Sequence, residues 1–390
     1  MSSVDEDDRM RPNQRRLLAA LATADQLSRA DLARMLDLPK ATVTDLVNDL
    51  VARELIAESE PRSRPGFAGR PTRVLSLAGP APAIGVVVWS AGLLRVAVAT
   101  RSGHILAEDT STVTVNFSYR ADLDPALEML AKASRSAGYE VAALHSVVIG
   151  VPAPFQQGVG VAFRLSATAR SVDWLHADPA HADPAHALSE RIGTRVVIEN
   201  DANLGALGEY VFGAGQGRHS IVYLKLGEHS VGAGLIINGW LHRGASGFAG
   251  ELAHIQVRDD GPLCPCGGRG CLIQVIGPAL IDVVQPAYEQ PLTYLHMLRL
   301  AADGDTGMRR ILGDLGRSVG RPLADVCTML NPDAIIVDGA VGEAAPYIIE
   351  GITEAVARHA APATSEAVHI IAGTTGSRAD ILGAVALTQR

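Results

Sequence analysis

The feature that most narrows what this chain can fold into is His254-x9-Cys264-Pro-Cys266-x4-Cys271, which gathers three of the four cysteines with one histidine. Zinc takes soft or borderline ligands in a tetrahedron, and three thiolates with one imidazole complete it. Cys264 and Cys266 straddle a proline, and Gly267, Gly268 and Gly270 allow the backbone to turn back and deliver Cys271. Closed coordination of this kind marks a structural ion. A redox cluster is the competing reading of three closely spaced cysteines. Four cysteines in 390 residues make no disulfide framework. Cys327, inside the apolar helical run Leu323–Leu330, reads as core.

The chain is long enough for two or three domains, here expected at 1–80, 81–200 and 201–390. No apolar run reaches the ~18–20 residues that cross a bilayer. The opening MSSVDEDDRM is acidic, without the basic-then-apolar order of a secretory signal. A cytoplasmic protein with no membrane partner is expected. The net charge of −8 is uneven: residues 9–73 carry 12 Lys/Arg against 8 Asp/Glu, so the front segment is basic in an acidic protein. Only that front is suited to a polyanion.

The front segment reads as a winged helix-turn-helix. Leu17, Leu18 and Leu21 recur at helical spacing. Ser28-Arg-Ala-Asp31 resembles a capping box opening a second helix. Pro39 suits the first position of a third helix, Lys40 to about Arg53, with Val43, Leu46, Val47 and Leu50 inside. Lys40, Thr42 and Thr44 are left outside near its leading end, where hydroxyls and a cation suit base edges and phosphates. Short strands at 55–57 and 73–77 flank a loop carrying Arg64 and Arg70, the chemistry of a wing that follows phosphates or enters a narrow minor groove. Double-stranded operator DNA is the expected partner. Three small helices and a hairpin also build protein-interaction modules, which would respond weakly to duplex DNA.

From Ile84 the pattern becomes apolar β runs alternating with helices. Strands are expected at 84–88, 94–99, 145–151, 196–199, 220–226, 234–237, 334–337 and 368–371, and helices at 126–137, 202–210, 347–357 and 379–386. The order occurs twice, predicting an α/β body of two lobes with a cleft between them. The five-residue repeat spanning His176–His186 places three histidines that share no helical face, and reads as an expanded loop.

Two polar clusters stand in these apolar surroundings: Glu199-Asn200-Asp201-Ala-Asn203, after a buried strand, and Gly247-Phe-Ala-Gly-Glu251-Leu-Ala-His254, before the cysteines. Carboxylates, an amide and an imidazole suit the hydroxyls of a sugar. With Cys264-Pro-Cys-Gly-Gly-Arg-Gly-Cys271 and the C-terminal Ala-Asp-Ile-Leu-Gly-Ala, these clusters make the sequence resemble the ROK family of repressors, open reading frames and kinases. The resemblance implies an actin-like, sugar-kinase-like (ribonuclease H-like) body with a zinc-binding insertion. It implies that Asn200, Asp201, Glu251 and His254 hold sugar hydroxyls, and that His254 also ligates zinc. A helix N-cap is the alternative role for Asp201. Family members with an N-terminal helix-turn-helix are transcriptional regulators, so a homodimer or homotetramer on a two-fold operator is expected.

The family's kinases carry Asp-x-Gly-Gly-Thr after the first strand, where this chain has Val87-Val-Trp-Ser-Ala91. Both glycines and the aspartate are missing, and Trp89 is expected to fill the space where amides would approach phosphate. A second loop, usually Gly-Thr-Gly-Ile-Gly, is here Gly227-Glu-His-Ser-Val-Gly232, with a carboxylate that repels a triphosphate. Ala153 and Ile273 depart from the pattern in the sugar half, so the expected effector is a sugar or sugar derivative, with an unusual sugar, an N-acetylated or amino sugar and a sugar phosphate all open. The resulting expectation is a sugar-responsive repressor without catalytic residues. The rivals are an active ATP-dependent sugar kinase with a DNA-binding domain, and a ligand-blind regulator controlled by a protein.

Overall fold

A computed structural model of the chain describes residues 12–24, 26–53, 55–59, 73–78, 82–90, 92–113, 119–156, 183–227, 231–264, 266–276, 278–339 and 341–389. The first three helices are α1 (Pro12–Ala24), α2 (Arg29–Leu36) and α3 (Lys40–Ala52). Two strands follow, β1 (Ile56–Ser59) and β2 (Val74–Leu77), paired antiparallel with Ile56 opposite Leu77. Leu17, Leu21, Leu32, Val43, Val47, Leu50, Ile56 and Leu75 form their common core. The capping box is present: Asp31 N donates to Ser28 Oγ at 3.1 Å, and Ser28 N to Asp31 Oδ2 at 3.2 Å. Pro39 stands one place earlier than expected, as the N-cap of α3 in extended conformation, with its carbonyl accepting from Val43 N. The wing, with Arg64 and Arg70, lies outside the described residues.

The body contains two five-stranded sheets of the same design. The first comprises β3 (Ala83–Ser90), β4 (Leu93–Thr100), β5 (Ile105–Thr112), β6 (Ser146–Val151) and β7 (Val196–Asn200), in the order β5-β4-β3-β6-β7. β3, β4 and β5 form an antiparallel meander, and β6 and β7 add in parallel. The second comprises β8 (Ile221–Leu226), β9 (Val231–Ile237), β10 (Trp240–Leu241), β11 (Ala334–Gly339) and β12 (His369–Ala372), in the order β10-β9-β8-β11-β12 with the same senses. The duplicated, two-lobed pattern expected from the sequence is therefore the architecture.

Among the helices, α4 (Tyr119–Ser136) and α5 (Pro184–Ile192) supply Leu123, Ala126, Leu130 and Leu188 to a core on one face of the first sheet. The last histidine of the repeat, His186, belongs to α5 rather than to a loop, because Asp183 caps that helix and Pro184 starts it. Its other two histidines lie outside the described residues. On the opposite face lies a helix pair: α6 (Asp201–Phe212) and the C-terminal helix, α13 (Ala379–Leu387). Leu204, Ile381 and Val385 pack there with Ile84, Val86 and Val88, while Ala206 and Leu207 pack on the second sheet with Ile221, Tyr223 and Ile236. The two helices touch at backbone distance: a Cβ on Gly383 would lie within 1.7 Å of Leu204 O. Outside the second sheet lie α7 (Ile273–Ile276), α8 (Pro278–Val284), α9 (Tyr294–Ala302), α10 (Thr306–Leu330), α11 (Ala345–His359) and α12 (Pro362–Ala367). Cys327 is fully buried in α10, as its apolar context predicts.

Candidate ligand cleft and metal centre

The strand-to-helix junction β7–α6 positions the first polar cluster. Asn200 is the cap of α6: its Oδ1 accepts from Ala202 N (2.9 Å) and Asn203 N (3.0 Å), and its Nδ2 donates to Ala153 O (3.2 Å). The cap role considered for Asp201 thus falls to its neighbour, and Asp201 occupies the first helical position, where its charge suits the positive end of the helix. Asp201 Oδ2 accepts from Lys225 Nζ at 2.8 Å, and the same ammonium donates to Asp380 Oδ2 at 3.2 Å. Asp380 also pairs with Arg95. Burial pulls the Lys225 ammonium towards neutrality, but Asp201 and Asp380 outweigh it and hold its pKa above the ordinary lysine value. Nearby, fully buried Glu199 accepts from Asn203 Nδ2 (3.0 Å) and pairs with Arg243 (2.7 Å).

Lys225, Arg95, Asp380 and Arg243 were not among the expected site residues. Their partners lie tens to hundreds of residues away in sequence. One signal was visible: Lys225 is one of three lysines in the chain and interrupts an otherwise apolar buried strand.

The second cluster enters on the loop after β10. Gly250, at φ +92°, leaves no room for a side chain, since a Cβ would stand 2.2 Å from Ala233 O. This close approach holds Glu251 against the body. Burial, and then the charge of Asp201, push the Glu251 carboxyl up to about 7. Three residues on, His254 meets the cysteines: its Nδ1 is 3.6 Å from Cys264 Sγ, and Cys266 Sγ is 3.5 Å from Cys271 Sγ. All four ligand atoms lie within 4.8 Å of one another. Tetrahedral metal–sulfur bonds of ~2.3 Å place their ligands about 3.7 Å apart, so the donor set fits one ion. Burial lowers the His254 pKa, which favours the neutral imidazole that binds metal.

The nucleotide half differs from expectation at one residue. Trp89 does not fill the phosphate site. It is 1% exposed and packs in the core with Leu94, Leu123 and Phe155, on the face of the first sheet opposite α13. Period-2 alternation along β3 turns Val88 to the α6–α13 face and Trp89 away from it. β3 runs on as a regular strand to Ser90, which pairs with Leu93. Glu228 of the second loop lies outside the described residues. Ile273 begins α7 and packs on the core of the second sheet.

At the leading end of α3, Lys40 is exposed, and Thr42 and Thr44 are half-buried. The Thr44 hydroxyl donates to Lys40 O at 2.9 Å. Among the described residues, no helix is long and apolar enough to cross a membrane.

A family model described as MarR family matches residues 10–64, and one described as ROK family matches residues 92–390. The chain is 28% identical over 387 residues to the xylose repressor of Bacillus spizizenii, covering 98% of this chain and 96% of that protein. It is 25% identical to the DNA-binding transcriptional repressor Mlc of Escherichia coli, covering 92% and 88%. The glucokinase of Thermotoga maritima is 31% identical over 215 residues, covering 51% of this chain and 68% of the enzyme. Among solved structures, a ROK family transcriptional regulator homologous to E. coli Mlc superposes with a TM-score of 0.71 at 22% identity, over 97% and 96% of the two chains. A ROK family glucokinase from Streptomyces griseus, solved with glucose and AMPPNP, gives 0.63 at 26% identity, over 78% and 98%. The family match spans most of the sequence, and the chain belongs to the ROK family.

Proposed function

We propose that this chain is a sugar-responsive DNA-binding transcriptional repressor, which senses its ligand in a sugar-kinase-like cleft and does not transfer phosphate. One observation carries the reading: repressors match this chain end to end, winged helix and body together, whereas the glucokinase match covers about half of it. Asn200, Asp201, Glu251 and His254 form the sugar site. Asp201 and Glu251 accept from hydroxyls, and His254, whose Nδ1 faces the cysteines, offers Nε2. A zinc ion held by His254, Cys264, Cys266 and Cys271 fixes that imidazole and completes no chemistry of its own, because four protein ligands leave no open position. Lys40, Thr42 and Thr44 on α3, with Arg64 and Arg70, meet operator DNA. The working form is a cytoplasmic homodimer or homotetramer, whose two-fold symmetry matches an operator of paired half-sites.

Phosphoryl transfer needs a free carboxylate on the acceptor hydroxyl and an amide cradle for the nucleotide. Asp201 keeps one oxygen for a hydroxyl, so the difference lies in the cradle: the first strand runs regularly to Ser90 where the kinases turn on glycines. In the proposed switch, sugar binds two lobe arrangements unequally and so changes the separation of the winged helices. The test is operator binding by fluorescence anisotropy with and without D-xylose, D-glucose and other aldoses, beside a coupled ATPase assay. Release of DNA by one sugar with no turnover is expected. Turnover at enzymatic rates would restore the kinase reading, and silence to every sugar would favour control by a protein partner.

A further inference from the structure

Four charged side chains from four elements meet at the cleft end of the α6–α13 pair: Arg95 from β4, Asp380 from α13, Lys225 from β8 and Asp201 from α6. The four carry no net charge. Asp380 is closed off, with 3% of its side chain exposed, whereas Lys225 and Asp201 each keep 12%. The open end of the cluster is therefore the Lys225–Asp201 pair. An ammonium has three hydrogens, and two are accounted for by Asp201 and Asp380. Asp201 uses Oδ2 for Lys225, and Oδ1 is its other acceptor. The pair thus offers one donor and one acceptor side by side. A vicinal diol is the complementary group: one hydroxyl donates to the carboxylate while its neighbour accepts from the ammonium.

We infer that Lys225 is a ligand-binding residue of this cleft, which pairs with Asp201 to hold adjacent hydroxyls of a neutral sugar and makes the site reject sugar phosphates and sugar acids. The charge preference follows from the balance. Both cations of the cluster are already neutralised by carboxylates, and Glu251 adds a further acid close to Asp201. An anionic ligand would add an unbalanced negative charge to a cluster whose two cations are already matched by two carboxylates, in a place where water is scarce. A neutral diol adds none.

The inference rests on the sugar-sensor reading above, and the experiment separates the two. Calorimetric titration measures D-xylose, D-glucose, the monodeoxyglucoses and D-glucose 6-phosphate on the full chain. The same panel is run on Lys225→Met/Asp380→Asn, which removes one cation and one anion so that Asp201 and Arg95 remain balanced. A thermal melt of each protein checks that it is folded. For the wild type, the best neutral sugar should bind at least about tenfold more tightly than its phosphate, and deleting one hydroxyl should cost about tenfold. In the double variant the hydroxyl that met the ammonium should cease to matter, so that its deoxy sugar binds like the parent, while the hydroxyl that donates to Asp201 still counts. A merely structural lysine would weaken both equally and preserve their ratio, which overturns the inference while leaving the sensor reading intact. Tighter binding of the phosphate by the wild type also overturns it. A wild-type protein that binds no sugar overturns both.

Discussion

The Nδ1 atom of His254 lies 3.6 Å from the Sγ atom of Cys264, so the imidazole three residues after Glu251 is part of the cysteine cluster. Whatever fixes the cluster fixes the ring. Cys266→Ser is expected to reduce bound zinc from one per chain to near zero by elemental analysis. Loss of a structural ion removes folding free energy directly, so the melting temperature should fall by about 5 °C or more. Sugar response should be lost with it. A variant that keeps a full equivalent of zinc would remove these four residues as its ligands.

Glu199 is a fully buried carboxylate whose charge is matched by Arg243 at 2.7 Å. Arg243→Ala leaves that charge without its counterion and should destabilise the protein by about 3 kcal/mol. Glu199→Gln in the same background removes the stranded charge and should recover most of the loss, since the Asn203 amide still finds an acceptor there. Denaturant melts of the two variants decide this, and an unchanged midpoint in Arg243→Ala would mean that water or another cation serves Glu199.

Local patterns were readable where each residue's role is set by its neighbours in sequence. The capping box at Ser28 and the apolar periodicity of α3 concern residues a few positions apart, and both are present in the fold. β5 was not foreseen, because an edge strand with one polar, exposed face carries little apolar signal. The orientation of Trp89 differs from expectation for another reason. A family motif fixes its position in the chain, but the register of β3 fixes the face it occupies. Among the cleft residues, Asp201 and Glu251 belong to short recognisable runs, whereas Lys225 acquires its meaning from Asp380, 155 residues away. No spacing rule reaches that far.

Asp338, at the end of β11, gives a prediction about pH. Burial foremost, with the charge of Glu209, pushes its carboxyl from 3.8 up to about 6, against the opposing Gly339 amide, Tyr223 hydroxyl and Lys225 charge. A group that binds its proton more tightly when folded favours the native state fully below its unfolded pKa. That contribution is lost as pH rises from about 4 through about 6. Asp338→Asn is uncharged throughout. It should match the wild type near pH 4 and become relatively more stable up to pH 7, by at most about 3 kcal/mol. Comparing the two proteins cancels the other titrating groups. A difference in melting temperature that stays flat from pH 4 to 7 would show that Asp338 is ionised across this range.

Lys40 is exposed at the first position of α3, where a helix N-terminus and a side-chain cation together suit a phosphate. Lys40→Ala should weaken operator and unrelated duplexes alike. The plot of log affinity against log salt should flatten by about 0.9, the release of one counterion. Thr42, half-buried two residues further on, carries no charge and should behave differently. Thr42→Val should keep the salt slope and lose about 1 kcal/mol or more of discrimination between operator and non-operator DNA, as expected of a base-edge contact. If both variants shift affinity without moving either quantity, α3 is not the element that enters the groove, because a helix lying along the major groove exposes its leading residues to phosphate and base together.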